Sequence, residues 1–192
     1  SDATATANVP CPDSVDMVTL TVRAEDGSGN VASAEGSLIV HNREEGFVTG
    51  GGWIPTPEDQ TSRASKSAHK GRFVFVAKHR KRDGDLRGKL RFRLRSAGVD
   101  FRSTELEWLL VDGSKALLQG VGKVNRVPGY QFLMTVHDAS RASRRNEDAF
   151  RIQIWQPADD GGREVLYDSQ PGDDPLGDAT TQLGGGSIRI HR

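Results

Sequence analysis

Along residues 17–24 apolar and polar side chains alternate one for one, with Val18, Leu20, Val22 and Ala24 on one side and Thr19, Thr21 and Arg23 on the other. A repeat of two is that of a strand with one face against a core. Glu25-Asp26-Gly27-Ser28-Gly29-Asn30 then supplies residues that accept positive φ or cap their own backbone, which predicts a turn. Alternation resumes through Ala32, Ala34, Gly36, Leu38 and Val40, so residues 17–40 are expected to form a hairpin. Thr4 and Thr6 between Ala3, Ala5 and Ala7 predict one more strand, ended by Pro10-Cys11-Pro12.

Beyond a short polar stretch, Val48-Thr49-Gly50-Gly51-Gly52-Trp53-Ile54 opens a second series. Strands are predicted near residues 71–78, 88–96, 98–103, 105–112, 115–124, 129–137, 149–156, 163–168 and 186–191. Leu90, Phe92 and Leu94 are expected to face inward and Lys89, Arg91, Arg93 and Arg95 outward; Tyr130, Phe132, Met134 and Val136 form a second apolar stripe, and Phe150, Ile152 and Ile154 a third. No stretch carries a helical repeat. Many short strands at this spacing predict an all-β chain, with a partial immunoglobulin-like sandwich followed by an antiparallel β-sandwich, jelly-roll-like or related. The boundaries expected are residues 1–42 for the first part, 43–46 for an acidic linker and 47–192 for the second. An immunoglobulin-like domain uses about seven strands over roughly 100 residues, so the first part is expected to be incomplete, and either to pack onto the second part or to obtain strands from another chain or from further sequence.

The run from Val18 to Ala32, a T-L-T-V strand followed by Asp26-Gly27-Ser28-Gly29-Asn30, resembles the last two strands of HYR-type immunoglobulin-like repeats of bacterial surface proteins. Residues 47–192 resemble the post-COAP-1 domain found after repeats in secreted bacterial proteins. The resemblance rests on Val48–Ile54, Phe73–Lys78, Glu107–Val111, Asp148–Trp155, Val165–Asp168 and Leu183–Ile188. It implies an extracellular or cell-surface setting and supplies no chemistry. Before the Phe150-Arg151-Ile152 block that family tends to Gly and Asp, whereas this chain has Arg141, Arg144 and Arg145.

The formal net charge is zero, but charge is segregated. Residues 1–46 hold 2 basic and 8 acidic side chains, residues 63–102 hold 14 and 3, and residues 138–178 hold 5 and 10. Such separation attracts an anionic partner or lets the basic part of one copy meet the acidic part of another; solvated strand faces give the same pattern. No apolar run reaches the length that spans a bilayer, and Ser1 is expected to be a processing or expression boundary rather than a natural start. The single cysteine, Cys11, excludes a disulfide within the chain.

Catalytic spacing is missing. There is no G-x-S-x-G elbow, and His41, His69, His79, His137 and His191 follow no metal-ligand pattern. No catalytic or cofactor-binding residue is singled out, no cofactor is called for, and the question of a metal stays open. Oxygen-rich loops at Asp159-Asp160-Gly161-Gly162 and Pro171–Asp178 have residue types that suit Ca2+, without an EF-hand spacing. Neither glycine run, 50–52 or 184–186, opens a helix as a phosphate loop requires; both are expected to let the first and last strands of the domain approach closely. Trp53, Trp108 and Trp155 are assigned to the core rather than to a sugar platform. Phe73, Phe75 and Phe92 lie in the inward phase, which disfavours nucleic acid. The functional expectation is a non-enzymatic extracellular structural or self-assembling module, including assembly into fibres by strand exchange. The alternative is a carbohydrate- or cation-binding accessory module of a larger secreted protein. Partners expected are other copies, neighbouring domains or a glycan.

Overall fold

The computed structural model describes residues 16–25, 29–40, 46–56, 69–79, 85–139, 148–158 and 162–191. It separates into two compact units, residues 1–43 and 44–192. In the first, β1 (Asp16–Glu25) and β2 (Val31–Val40) form an antiparallel hairpin with Val18 opposite Leu38 and Glu25 opposite Val31. Gly29 supplies the turn with φ +83°. The strand expected near residues 3–7, Cys11 and the linker residues 43–45 lie outside the described residues.

The second unit is all-β and antiparallel, a sandwich-like fold made from one curled sheet. Its strands are β3 (Phe47–Pro55), β4 (Lys70–His79), β5 (Leu86–Leu94), β6 (Val99–Asp112), β7 (Lys115–Val124), β8 (Val127–His137), β9 (Ala149–Pro157), β10 (Arg163–Asp168) and β11 (Gly185–His191). The order β10-β9-β8-β7-β6-β5-β4-β3-β11 is an up-and-down meander, in which every neighbour except β11 is also next in sequence. A jelly roll would instead carry Greek-key crossovers. The strands expected at 98–103 and 105–112 are one strand, β6, whose pairing with β7 shifts between Ser103 and Glu105 and again between Leu106 and Trp108. These bulges insert unpaired residues and reset which face each side chain takes, so alternation read along the sequence looks broken where the strand is continuous.

Alternation decides what is inside. Phe73, Phe75 and Ala77 of β4, Leu90, Phe92 and Leu94 of β5, Phe132, Met134 and Val136 of β8, and Phe150, Ile152 and Ile154 of β9 are all buried. The curl brings the two sides of the sheet together through their rings: Phe73 stacks on Phe150 with centroids 3.9 Å apart, and Phe92 on Tyr167 at 5.2 Å. Burying a phenylalanine contributes about 1.5–3 kcal/mol, so this aromatic layer is a large part of what keeps the sheet folded on itself.

Closure is made by the segment from β10 to β11. β10 pairs with β9; further on, Phe150 N–H donates to Thr181 O and Leu183 N–H to Asp148 O; Gly184 N–H then reaches Trp53 O on β3, and β11 continues along β3. The two glycine runs meet here, as the sequence predicts, with Gly50 opposite Ile188 and Gly52 opposite Gly186. A Cβ on Gly52 would stand 2.3 Å from Gly185 O, and Gly186 has φ +112°. Only glycine fits so close a backbone approach. The outer edge of β11 is capped by side chains in place of a strand: Ile188 N–H donates to Asp148 Oδ2 at 2.7 Å and Ile190 N–H to Asp138 Oδ2 at 2.9 Å. Carboxylates on an edge satisfy its donors and leave no template for another chain to pair with.

Candidate cationic interface

β8 and β9 are buried on both faces: Leu133 and Thr135 of β8, and Gln153 and Trp155 of β9, are covered as well as the inward stripes. On β4 and β5 only one face is covered. The exposed phase of β4 carries Arg72, Val74, Val76 and Lys78; that of β5 carries Arg87, Lys89, Arg91 and Arg93; Arg102 of β6 and Lys123 of β7 continue it. Register sets cations directly opposite one another, Arg72 with Arg93, Lys78 with Arg87, Arg91 with Arg102 and Arg102 with Lys123. Like charges facing each other across a strand pair repel. The outward basic row expected on this strand is therefore present, with one correction. β5 ends at Leu94, and Arg95 lies in the β5–β6 turn that closes with Gly98 N–H on Arg95 O.

One carboxylate relieves part of the repulsion. Asp100 accepts Arg91 Nε at 3.3 Å and Nη2 at 3.1 Å, and Arg102 Nε lies 3.6 Å from its Oδ1. Partial burial works to raise the Asp100 pKa, but the hydrogen bonds and charge of Arg91 and Arg102 outweigh it and hold the carboxyl below its usual 3.8. Asp100 is thus ionised wherever the face is exposed to neutral solvent, and it orients two arginines while neutralising one charge. Its stabilising contribution is fully present above the ordinary carboxylate range and is lost as pH falls through the lowered native value; on so open a surface it is small. A 13C-carboxyl NMR titration is expected to place Asp100 below ordinary aspartate, and Arg91→Ser to move it back toward 3.8. A wild-type midpoint at or above that value would remove the ion-pair account. Asp85 takes Arg87 at 3.4 Å. Among the described residues no carboxylate comes within salt-bridge distance of Arg72, Lys89 or Arg93, although register sets Asp100 opposite Arg93.

The other residues weighed from the sequence are dispersed. His69 is buried, His79 ends β4, His137 ends β8 and His191 stacks on Phe47 at 5.2 Å; His41 lies outside the described residues. Trp155 is in the interior, with Nε1 donating to Gln131 Oε1 and the Arg163 guanidinium over its ring at 4.4 Å. Trp53 and Trp108 are only half-buried, contrary to the core assignment. They sit on the outer side of their strands, and Trp53 is covered by Lys70 Nζ 3.8 Å above the ring and by the glycine backbone at Gly184, where a Cβ would come within 2.1 Å of the indole.

The Pro171–Asp178 loop, considered for Ca2+, is built round a guanidinium. Arg151 of β9 is 2% exposed, and Asp168 8%. Arg151 donates to both Asp168 oxygens, at 3.4 and 3.1 Å, to Gln170 O and Asp173 O at 3.1 Å each, and to Asp174 O. Asp174 Oδ1 accepts Leu176 N–H, Asp173 Oδ2 accepts Gln170, and Asp178 accepts Lys115 at 2.7 Å. Those oxygens are committed to groups of the chain itself, and no cluster of three metal-ligating side chains occurs among the described residues. Asp159, Asp160 and Gly161 lie outside them. The sequence signal for this arrangement was a lone arginine inside the apolar run of β9, followed by an acidic loop.

An open cleft of about 650 Å3 lies beside this loop, lined by Ser114, Lys115, His137 and Asp178. Ser114 Oγ and His137 Nε2 are 3.0 Å apart. Nucleophilic catalysis also needs a group that orients the imidazole from its other nitrogen, and among the described residues none bonds His137 Nδ1. The Lys115 hydrogen bond and charge lower the Asp178 pKa, with a smaller contribution from His137. The pair bridges the β6–β7 turn to the closing segment, and Lys115 Nζ also donates to Leu176 O at 3.3 Å.

Searches against family models, curated proteins and solved structures match nothing.

Proposed function

We propose that the chain is a non-enzymatic structural module of an extracellular, surface-associated protein, and that its second unit works by laying the cationic face of β4–β7 against an anionic surface. The observation that carries this reading is the cross-strand grid of like charges, whose repulsion Asp85 and Asp100 relieve only in part and an external anion would relieve further. The ground for the extracellular setting is the sequence resemblance of residues 18–32 and 47–192 to modules of secreted bacterial proteins, and that alone. The test uses the formal net charge of zero and sequence pI near 7.0. A protein of that pI with evenly spread charge passes through a sulfonated resin at pH 8; this one is expected to be retained and to elute with salt. Replacing Arg72, Lys89 and Arg93 with serine is expected to lower the eluting salt, and flow-through of the wild type would sink the reading.

A second reading, assembly by strand exchange into fibres, is favoured by the β1–β2 hairpin. Among the described residues these two strands pair only with each other, and an isolated two-stranded sheet is marginal in water. Main-chain pairing with another copy would make the sedimenting mass rise with concentration at low and high salt alike. A constant monomer mass at both would end it.

A further inference from the structure

We infer that the anionic partner of this face is a linear polysaccharide bearing sulfate or carboxylate groups, seated in a shallow trough along β3 and β4 and held by the cations of β5; this rests on the reading just given. The trough is a matter of side-chain size. Thr49 and Gly51 of β3 stand opposite Val76 and Val74 of β4 on one side, and opposite Arg189 and Ser187 of β11 on the other. Between the Trp53–Lys70 pair at one end and Phe47, Lys78 and His191 at the other, β3 therefore presents only a threonine and a glycine to solvent. Val74 is 58% exposed and Val76 37%, so the floor is apolar while its border is charged.

That combination suits a sugar polymer. The C–H face of a pyranose ring packs on small apolar groups, and the anionic substituents at its rim need cations at regular spacing. Arg87, Lys89, Arg91 and Arg93 recur at every second residue, about 6.8 Å apart, and the next strand stands about 4.8 Å away. The row so spans about 20 Å beside the trough. Arginine adds bidentate geometry suited to sulfate and carboxylate. Nucleic acid fits less well. Sequence-tolerant single-strand binding needs exposed rings for stacking, but Phe73, Phe75 and Phe92 are buried and Trp53 is covered by Lys70 and Gly184.

The experiment measures binding of the full chain to heparin, to double-stranded DNA and to polyglutamate, by calorimetry at 150 mM salt, with neutral dextran as baseline. Heparin is expected to bind at least tenfold more tightly than either other polyanion. Arg72→Ser with Arg93→Ser, beside the trough and outside the Arg91–Asp100 and Arg87–Asp85 ion pairs, is expected to weaken heparin at least tenfold. Arg102→Ser with Lys123→Ser, farther from the trough on the same face, is expected to weaken it less than threefold. Val74→Glu, which places a like charge on the trough floor, is expected to weaken heparin with unchanged thermal unfolding. Equal affinity for heparin and DNA, or equal loss in the two double variants, overturns the polysaccharide assignment while retention on sulfonate keeps the broader reading. Failure on the sulfonated resin as well removes both.

Discussion

Replacing Arg151 with methionine is expected to destabilise the second unit by about 3–5 kcal/mol, the cost of leaving a buried charge without its partner. Asp168 would keep its hydrogen bonds from Gln153 and the Gln170 backbone but lose both bonds to the guanidinium, and the carbonyls of Gln170, Asp173 and Asp174 would lose their common donor. Urea unfolding followed by tryptophan fluorescence reads this unit alone, because Trp53, Trp108 and Trp155 all lie in it. Arg151→Met combined with Asp168→Asn is expected to lose less than the sum of the single changes, since the double variant no longer buries an uncompensated carboxylate. A loss under 1 kcal/mol for Arg151→Met would mean the loop is organised by its own turns.

Aspartate 148 is the second such position. It is 1% exposed, and its carboxylate accepts Ala139 N–H at 2.9 Å and Ile188 N–H at 2.7 Å. Asp148→Ala leaves both donors without acceptors, one of them buried on the edge of β11, and an unsatisfied buried donor costs about 1–3 kcal/mol. The expected loss is about 2–4 kcal/mol in the same unfolding experiment, with amide exchange at Ile188 accelerated more than at Phe92 in the sheet centre. Uniform acceleration at both sites would show that closure has no separate stability.

Where one side of the sheet meets solvent, the chain was readable. β4 and β5 bury every second residue because their outer faces stay wet, and in β5, where Leu90, Phe92 and Leu94 interleave with basic residues, period two reports burial directly. Phe150, Ile152 and Ile154 reveal β9, yet its other face is buried too: Trp155 is in the interior as expected, whereas no local pattern marks Arg151 and Gln153 as buried. Two bulges hid the continuity of β6. The charge of Lys89, Arg91 and Arg93 could be assigned to an outer face from alternation alone. Their meeting with Arg72 and Arg102, and the repulsion that makes the face a candidate interface, depend on register between strands, which no local pattern encodes. The meaning of the acidic loop was equally hidden, because its cation comes from a strand some 20 residues earlier in the chain.

The meander order has a kinetic side. From β3 to β10 each strand pairs with the one that follows it, so these pairings close as successive hairpins with modest loop entropy. The β3–β11 pairing is different, joining Phe47 to His191 across the whole unit. Contacts of such sequence separation are slow to form. The folding path this topology favours zips hairpins first and adds β11 to the curled sheet last, with the glycine seam and the two edge aspartates fastening a nearly finished sheet.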